Sequence, residues 1–183
     1  MRKIAYCVLS VAGMLLLAAC ATRSPERAAE ARAQYEFKRI VRAYQVPAVD
    51  ATNEVDRAAL LDTALDSFAA LREAYPTSQP WAAMALRQIG VIQAEQGRRK
   101  EALATFAKVD IFYPNESWEV IQAWKAAGDL LWDSGMRRES LPFYRDIVEK
   151  FDRPGQPEMF GTIVRIAKDR IRTAGGEKSR GAP

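Results

Sequence analysis

Side chains that could carry out chemistry are scarce in this sequence. Its 183 residues include no histidine, and the only cysteines are Cys7 and Cys20. Without histidine the chain can form neither a Ser-His-Asp triad nor a zinc site of the His-Glu-x-x-His type. Its glycines are also too widely spaced for a phosphate-binding loop. Most familiar hydrolytic mechanisms, and any metal or nucleotide cofactor, are therefore not expected.

Two pairs of aspartates are the candidates for general acid–base catalysis. Asp62 and Asp66, like Asp129 and Asp133, are four residues apart and would share one face of a helix. Glycoside hydrolases use two carboxyl groups that face each other across a cleft, one with a pKa raised by burial. Neighbouring acids on a hydrated helix meet neither condition, so we favour surface charges. An envelope enzyme that cleaves peptidoglycan is the catalytic alternative.

The N-terminal segment, which contains both cysteines, has the features of an export signal. Arg2 and Lys3 precede an apolar stretch that is shorter than the roughly 20 residues of a membrane span and ends in small residues. The sequence Leu-Ala-Ala-Cys at 17–20 resembles the lipobox of bacterial lipoproteins. This resemblance implies that residues 1–19 are a cleaved signal peptide, that Cys20 is acylated, and that residues 20–24 are a lipidated tether.

The lipobox also implies a location. In bacterial lipoproteins an aspartate directly after the cysteine tends to retain the protein at the inner membrane, and this chain has Ala21. We therefore expect the protein in the outer membrane, facing the periplasm, attached through acylated Cys20. Removing residues 1–19 lowers the formal charge from +4 to +2, because the segment carries Arg2 and Lys3 and no acid. So small a charge does not predict nucleic-acid binding.

Residues 25–173 are predicted to form one all-α domain. Ser24 and Pro25 suit the start of an amphipathic helix, which Pro47 should interrupt. A second long helix should begin near Asn53. Apolar residues at helical spacing over 159–171 predict a C-terminal helix, and residues 174–183 should be a disordered tail.

The middle of the chain repeats itself. The segments ALDSFAALREAYP, ALATFAKVDIFYP and SLPFYRDIVEKFD start at residues 64, 102 and 140, a spacing of 38 residues. Their aromatic positions coincide, as do the glycine pairs 90 with 128 and 97 with 135. Similarity at a fixed period indicates a repeat architecture. Gly90 and Gly128 should mark close helix contacts, and Gly97 and Gly135 should end helices in the left-handed conformation.

This pattern of helix glycine, turn glycine, aromatic and terminal Tyr-Pro resembles the tetratricopeptide repeat. The resemblance implies an α-solenoid of about three helical hairpins between an N-terminal amphipathic helix and a C-terminal capping helix. In that family the first helices of successive repeats line a groove for a protein or peptide partner. The positions carried over include Met84, Ala94 and Gln122 and, as our candidate groove residues, Arg87, Val91, Lys125, Asp129 and Trp132. Trp132 could dominate such an interface or belong to the core.

Basic residues recur in the turns one period apart. They are Arg98, Arg99, Lys100, Arg137 and Arg138, and they should line one rim of the solenoid. Such a basic rim could contact anionic lipid headgroups or an acidic partner, although charged turns usually serve only solubility.

Together these features predict a non-catalytic, lipid-anchored scaffold for protein–protein interaction in the bacterial cell envelope. The lipobox and the Tyr-Pro repeat ends resemble the tetratricopeptide lipoproteins that take part in outer-membrane protein assembly. A pilotin or secretion-accessory lipoprotein is the alternative within the same structural class.

Overall fold

The described part of the protein, in a computed structural model, is all-α. The backbone is described for residues 25–180 and the side chains for residues 25–175. Within that range every regular element is a helix and no strand is present. The predicted all-α class is therefore confirmed.

The chain begins with one continuous helical path that contains a wider turn. Helix α1 (Pro25–Ile40) passes through a π-helical turn (Val41–Gln45) into the short helix α2 (Val46–Asp50). The prediction that Pro47 interrupts the helix is wrong. Proline lacks an N–H group, and its ring would collide with the carbonyl four residues earlier in a regular α-helix. The π turn, closed by the Val46 N–H bonded to the Val41 carbonyl, accommodates it.

The second long helix, α3 (Glu54–Ala74), starts where the sequence predicts. Asn53 is its N-cap, and the Asn53 side-chain oxygen accepts a hydrogen bond of 2.8 Å from the Asp56 backbone N–H. Leu61, Phe68 and Leu71 are buried, as their helical spacing predicts.

Two helical hairpins follow, each with a glycine at its turn. Helices α4 (Gln79–Glu95) and α5 (Arg99–Phe112) form the first, and α6 (Ser117–Asp133) and α7 (Arg137–Phe151) form the second. Gly97 and Gly135 have φ values of +74° and +78°. In both turns the glycine and the residue after it donate back to the preceding helix in the Schellman pattern. The predicted left-handed helix ends are confirmed.

The other glycine pair marks close contacts inside these hairpins. A Cβ added to Gly90 would lie 2.6 Å from a ring carbon of Phe106, and one added to Gly128 would lie 2.9 Å from a ring carbon of Tyr144. Both hairpins therefore seat an aromatic ring of the second helix directly on a glycine of the first. The close approach that the repeat predicts is made by a ring rather than by helix backbone.

The last helix, α8 (Glu158–Arg180), packs against α7 and α6. Phe160 contacts Trp118 and Phe151, each with ring centroids 5.5 Å apart. Met159, which the sequence places on the inner side, is exposed instead. The helical backbone continues past residue 173, where we expected a tail, because each further residue adds a backbone hydrogen bond to a helix that already exists.

The buried residues of the described part form two clusters. The N-terminal cluster is built around Phe37 and Phe68, and the C-terminal cluster around Phe106, Tyr144 and Phe151. Helix α4 serves both, since Ala85 and Ile92 belong to the first and Leu86 to the second.

Candidate functional site

The predicted lipidation residue cannot be located, because Cys20 lies outside the described residues, as do the predicted signal peptide (1–19) and the tether (20–24). The remaining predicted residues lie on helices α4 to α7, except Arg98, which is in the turn before α5.

Arg87 joins the first helices of the two hairpins. Its Nε donates to Glu119 Oε2 over 2.6 Å, and the exposed fraction of the Glu119 side chain is only 5%. Glu119 was not among the predicted residues; the signal in the sequence is an acid between the apolar residues Trp118 and Val120 at the start of a helix. Val91, one turn after Arg87, is partly buried against the C-terminal cluster. Arg87 and Val91 therefore connect α4 to the second hairpin, and both are partly exposed on α4.

A polar network connects α6 to α7. Lys125 Nζ donates to Asp129 Oδ2 over 2.6 Å, and the Tyr144 hydroxyl donates to Asp129 Oδ1 over 2.7 Å. Burial, followed by the hydrogen bond to Asp129, raises the pKa of Tyr144 above its ordinary value. Lys125 and Asp129 are partly exposed. The structure therefore brings together these two predicted groove residues with Tyr144, which the 38-residue period aligns with Phe68 and Phe106.

Of the two roles that the sequence leaves open for Trp132, interface or core, the structure supports the core. The residue is only 8% exposed and packs edge-to-face on Tyr144, with ring centroids 6.2 Å apart. The guanidinium groups of Arg137 and Arg170 lie 5.1 Å and 4.5 Å from the centre of its ring. The indole is covered because α8 carries Arg170 onto it, and such cation–π contacts stabilise the fold. Trp132 belongs to the core.

The predicted basic rim falls at the start of the second helix of each hairpin. All five of its residues, Arg98, Arg99, Lys100, Arg137 and Arg138, are exposed. Arg98 forms an ion pair with Glu101 and bonds to Gln96, and Arg137 lies over Trp132. Arg98 and Arg137 thus make contacts within the protein, and Arg99, Lys100 and Arg138 are the remaining surface cations of the rim.

Glu116, at the start of α6, lies in an acidic environment. Burial raises the pKa of Glu116 above its ordinary value, and the negative charges of Glu119 and Glu30 raise it further. Of these acids, Glu119 forms an ion pair with Arg87. Glu30 is far from Glu116 and Glu119 in the sequence, so no local pattern connects it with them.

The aspartate pairs considered for catalysis do not face each other across a cleft. Asp129 is bonded to Lys125 and Tyr144, and Asp62 accepts a hydrogen bond of 2.9 Å from Gln96. Asp66 and Asp133 are exposed. Over the described residues, no group of three or more acidic or cysteine side chains is arranged to hold a metal ion.

None of the helices in the described range combines the length and apolar character needed to cross a bilayer. Compared with known proteins, the chain matches no protein-family model, no curated protein and no solved structure.

Proposed function

We propose that this protein is a non-catalytic, lipid-anchored scaffold of the bacterial outer membrane, facing the periplasm, that binds a protein or peptide partner. The observation that carries this proposal is the matched construction of the two hairpins. Gly90 under Phe106 and Gly128 under Tyr144 are equivalent contacts, and both turns end in the same glycine geometry. Repeated hairpins that stack side by side provide an extended surface for partners.

The finer fold that we propose is a tetratricopeptide-like solenoid of three hairpins. The α1–α2 path would pair with α3, α4 with α5 and α6 with α7, while α8 covers the last hairpin. Contacts between these neighbouring helices support this order. In this arrangement the N-terminal amphipathic helix is the first helix of the first hairpin and not a separate element before it.

The binding surface in this proposal is the accessible side of α4 and α6. Arg87, Val91, Lys125 and Asp129 are partly exposed there and combine an apolar side chain with both signs of charge. The Arg87–Glu119 and Lys125–Asp129 ion pairs hold these side chains in fixed positions before a partner arrives. A preordered surface loses less side-chain entropy on binding. Trp132 is not part of this surface.

The absence of histidine from the sequence and the commitment of Asp129 to two partners support a binding role over catalysis. Assays for cleavage of purified cell wall should therefore show no activity that depends on Asp129 or Asp133. Loss of such cleavage in Asp129→Asn would favour the peptidoglycan-cleaving alternative.

Two measurements on cells that express the full chain test the proposal. Wild-type protein should incorporate labelled fatty acid, and Cys20→Ser should abolish the label, because the lipobox thiol is its attachment point. A photo-crosslinking residue at Val91 or Lys125 should then capture a discrete partner from the native envelope. The matched control is Lys108, an exposed position on α5. Identical crosslinks from all three positions, or normal labelling of Cys20→Ser, would contradict the proposal.

A further inference from the structure

The outer face of helix α1 combines cations with apolar side chains. The inner face buries Ala33, Phe37 and Ile40. The opposite side of α1 and of the π turn is exposed, and we call five of its side chains the α1 outer face: Arg32, Tyr35, Lys38, Arg39 and Arg42. Tyr35 is 67% exposed although it is aromatic. A shallow cavity lies in this face, lined by Tyr35 and its cationic neighbours.

Most of these cations form no ion pair within the described residues. Arg39 forms an ion pair of 2.7 Å with Glu36. Over residues 25–175, no ion pair involves Arg32, Lys38 or Arg42. The face therefore carries positive charge that the rest of the described protein does not neutralise.

Apolar exposure continues beyond the π turn. Val46 is 51% and Val49 is 84% exposed, although valine is usually buried. Cations, an aromatic ring and exposed aliphatic side chains along one helical path are the composition that binds at the interface of a lipid bilayer. An acidic protein surface would match the charge but would leave the exposed Tyr35 and Val49 without an apolar environment.

The position of the predicted anchor favours the bilayer as the occupant. Cys20 precedes Pro25 by five residues. A chain of that length spans at most about 18 Å, since each extended residue covers at most about 3.6 Å. An acyl chain on Cys20 would therefore hold the start of α1 next to the membrane surface. This step rests on the lipid anchor of the proposed function.

We propose that the α1 outer face lies on the surface of an anionic phospholipid bilayer. The cations contact the headgroup phosphates, and Tyr35, Val46 and Val49 enter the interfacial layer. The acyl anchor and this face together provide the two signals that stable attachment requires. With α1 on the membrane, the packing of α3 and α4 against its inner side fixes how the hairpins are presented to a partner.

Vesicle binding tests this surface without the acyl group. The test protein is the chain from residue 20 with Cys20→Ser, because all buried core residues of the described part lie between Ala33 and Ala167. Circular dichroism checks that it and its variants are folded. We expect it to sediment with vesicles of equal parts phosphatidylglycerol and phosphatidylcholine and to bind pure phosphatidylcholine vesicles much less.

Two charge-reversal variants locate the contact. Lys38→Glu/Arg42→Glu should weaken binding to the anionic vesicles about tenfold or more, because each basic side chain near such a surface strengthens binding about fivefold. Arg99→Glu/Lys100→Glu, on the basic rim, makes the same change in net charge and should weaken binding less than about threefold.

Three outcomes would overturn the proposal: no preference for anionic vesicles, equal losses in both variants, or a loss confined to the rim variant. Failure of the anchor is a separate result, because it is measured by fatty-acid labelling of Cys20 in cells. Labelled Cys20 with no vesicle binding would contradict only the contact made by α1.

Discussion

At the scale of single residues, glycine has opposite effects on stability at different positions in the helices. Gly90 and Gly128 leave space for the rings of Phe106 and Tyr144, whereas Gly161 in α8 has nothing within 4 Å of where a Cβ would lie. Glycine costs a helix about 1 kcal/mol relative to alanine. At Gly90 and Gly128 this cost is offset by aromatic packing, and at Gly161 no described contact offsets it.

Gly90→Ala and Gly161→Ala should therefore change stability in opposite directions. We expect Gly90→Ala to lower the free energy of unfolding by about 1–2 kcal/mol, because the buried Phe106 ring must move and overpacking outweighs the gain in helix propensity. Gly161→Ala, the matched control, should raise it by about 0.5–1 kcal/mol. Urea unfolding measures both. A Gly90→Ala protein as stable as wild type would contradict the ring-on-glycine contact.

Tyr144 should make the fold sensitive to alkaline pH. Burial and the hydrogen bond to Asp129 raise its pKa in the folded state, so the folded protein holds the hydroxyl proton where the unfolded chain releases it. The free energy of unfolding should then fall as pH rises above about 10, the ordinary tyrosine value. Tyr144→Phe should lose part of this slope, because Phe106 shows that phenylalanine fits the equivalent position. Equal slopes in both proteins between pH 9 and 11 would argue against the buried hydroxyl.

At the scale of elements, α4 and α6 are joined by a charge pair rather than only by apolar contacts. Glu119 is buried near the start of α6, and Arg87 reaches it from the middle of α4. Removing one partner of a buried pair leaves a charge in a low-dielectric environment, which costs more than the pair itself contributes. The pair therefore fixes how the two hairpins align without necessarily adding net stability.

A double-mutant cycle on Arg87 and Glu119 measures how strongly the two charges are coupled. Arg87→Met should lower the free energy of unfolding by about 3 kcal/mol, since Glu119 loses its only described short-range cation. Arg87→Met/Glu119→Met should recover most of that loss. Arg99→Met, at an exposed position, is the control and should change stability by less than about 0.5 kcal/mol. A double variant as unstable as the single one would show that the charges are not coupled.

At the scale of the whole molecule, two buried clusters share one helix. Ala85 and Ile92 face the N-terminal cluster and Leu86 the C-terminal cluster, so α4 cannot leave one without disturbing the other. Repeat proteins transmit stability through such interfaces between neighbours. We therefore expect the two clusters to unfold together.

Tryptophan positions allow this cooperativity to be measured. Trp81 packs on the N-terminal cluster, whereas Trp118, Trp124 and Trp132 belong to the C-terminal cluster, so a Trp81→Phe background reports on the C-terminal half by fluorescence. Adding Phe68→Ala removes a fully buried N-terminal ring and should cost about 3–5 kcal/mol. The fluorescence and circular dichroism midpoints should shift together to lower denaturant. A fluorescence transition unaffected by Phe68→Ala would mean that the halves unfold separately.

Much of the helical framework follows from the sequence because its causes are local. Helical spacing predicts the buried residues Phe37 and Phe68, and the Asn53 cap predicts where α3 begins. Gly97 and Gly135 end their helices because only a residue without a side chain readily takes positive φ there. The 38-residue period, read from the sequence, also predicts that Gly90 and Gly128 occupy equivalent sites.

What the tertiary structure decides are the pairings between residues far apart in the chain. Arg87 with Glu119, Asp129 with Tyr144 and Trp132 with Arg170 depend on how whole helices pack, and no local pattern specifies them. Trp132 is therefore core rather than interface, because α8 carries a cation onto its ring. The path through Pro47 is likewise settled by packing of α1 and α2 on α3, which favours a π turn over a break.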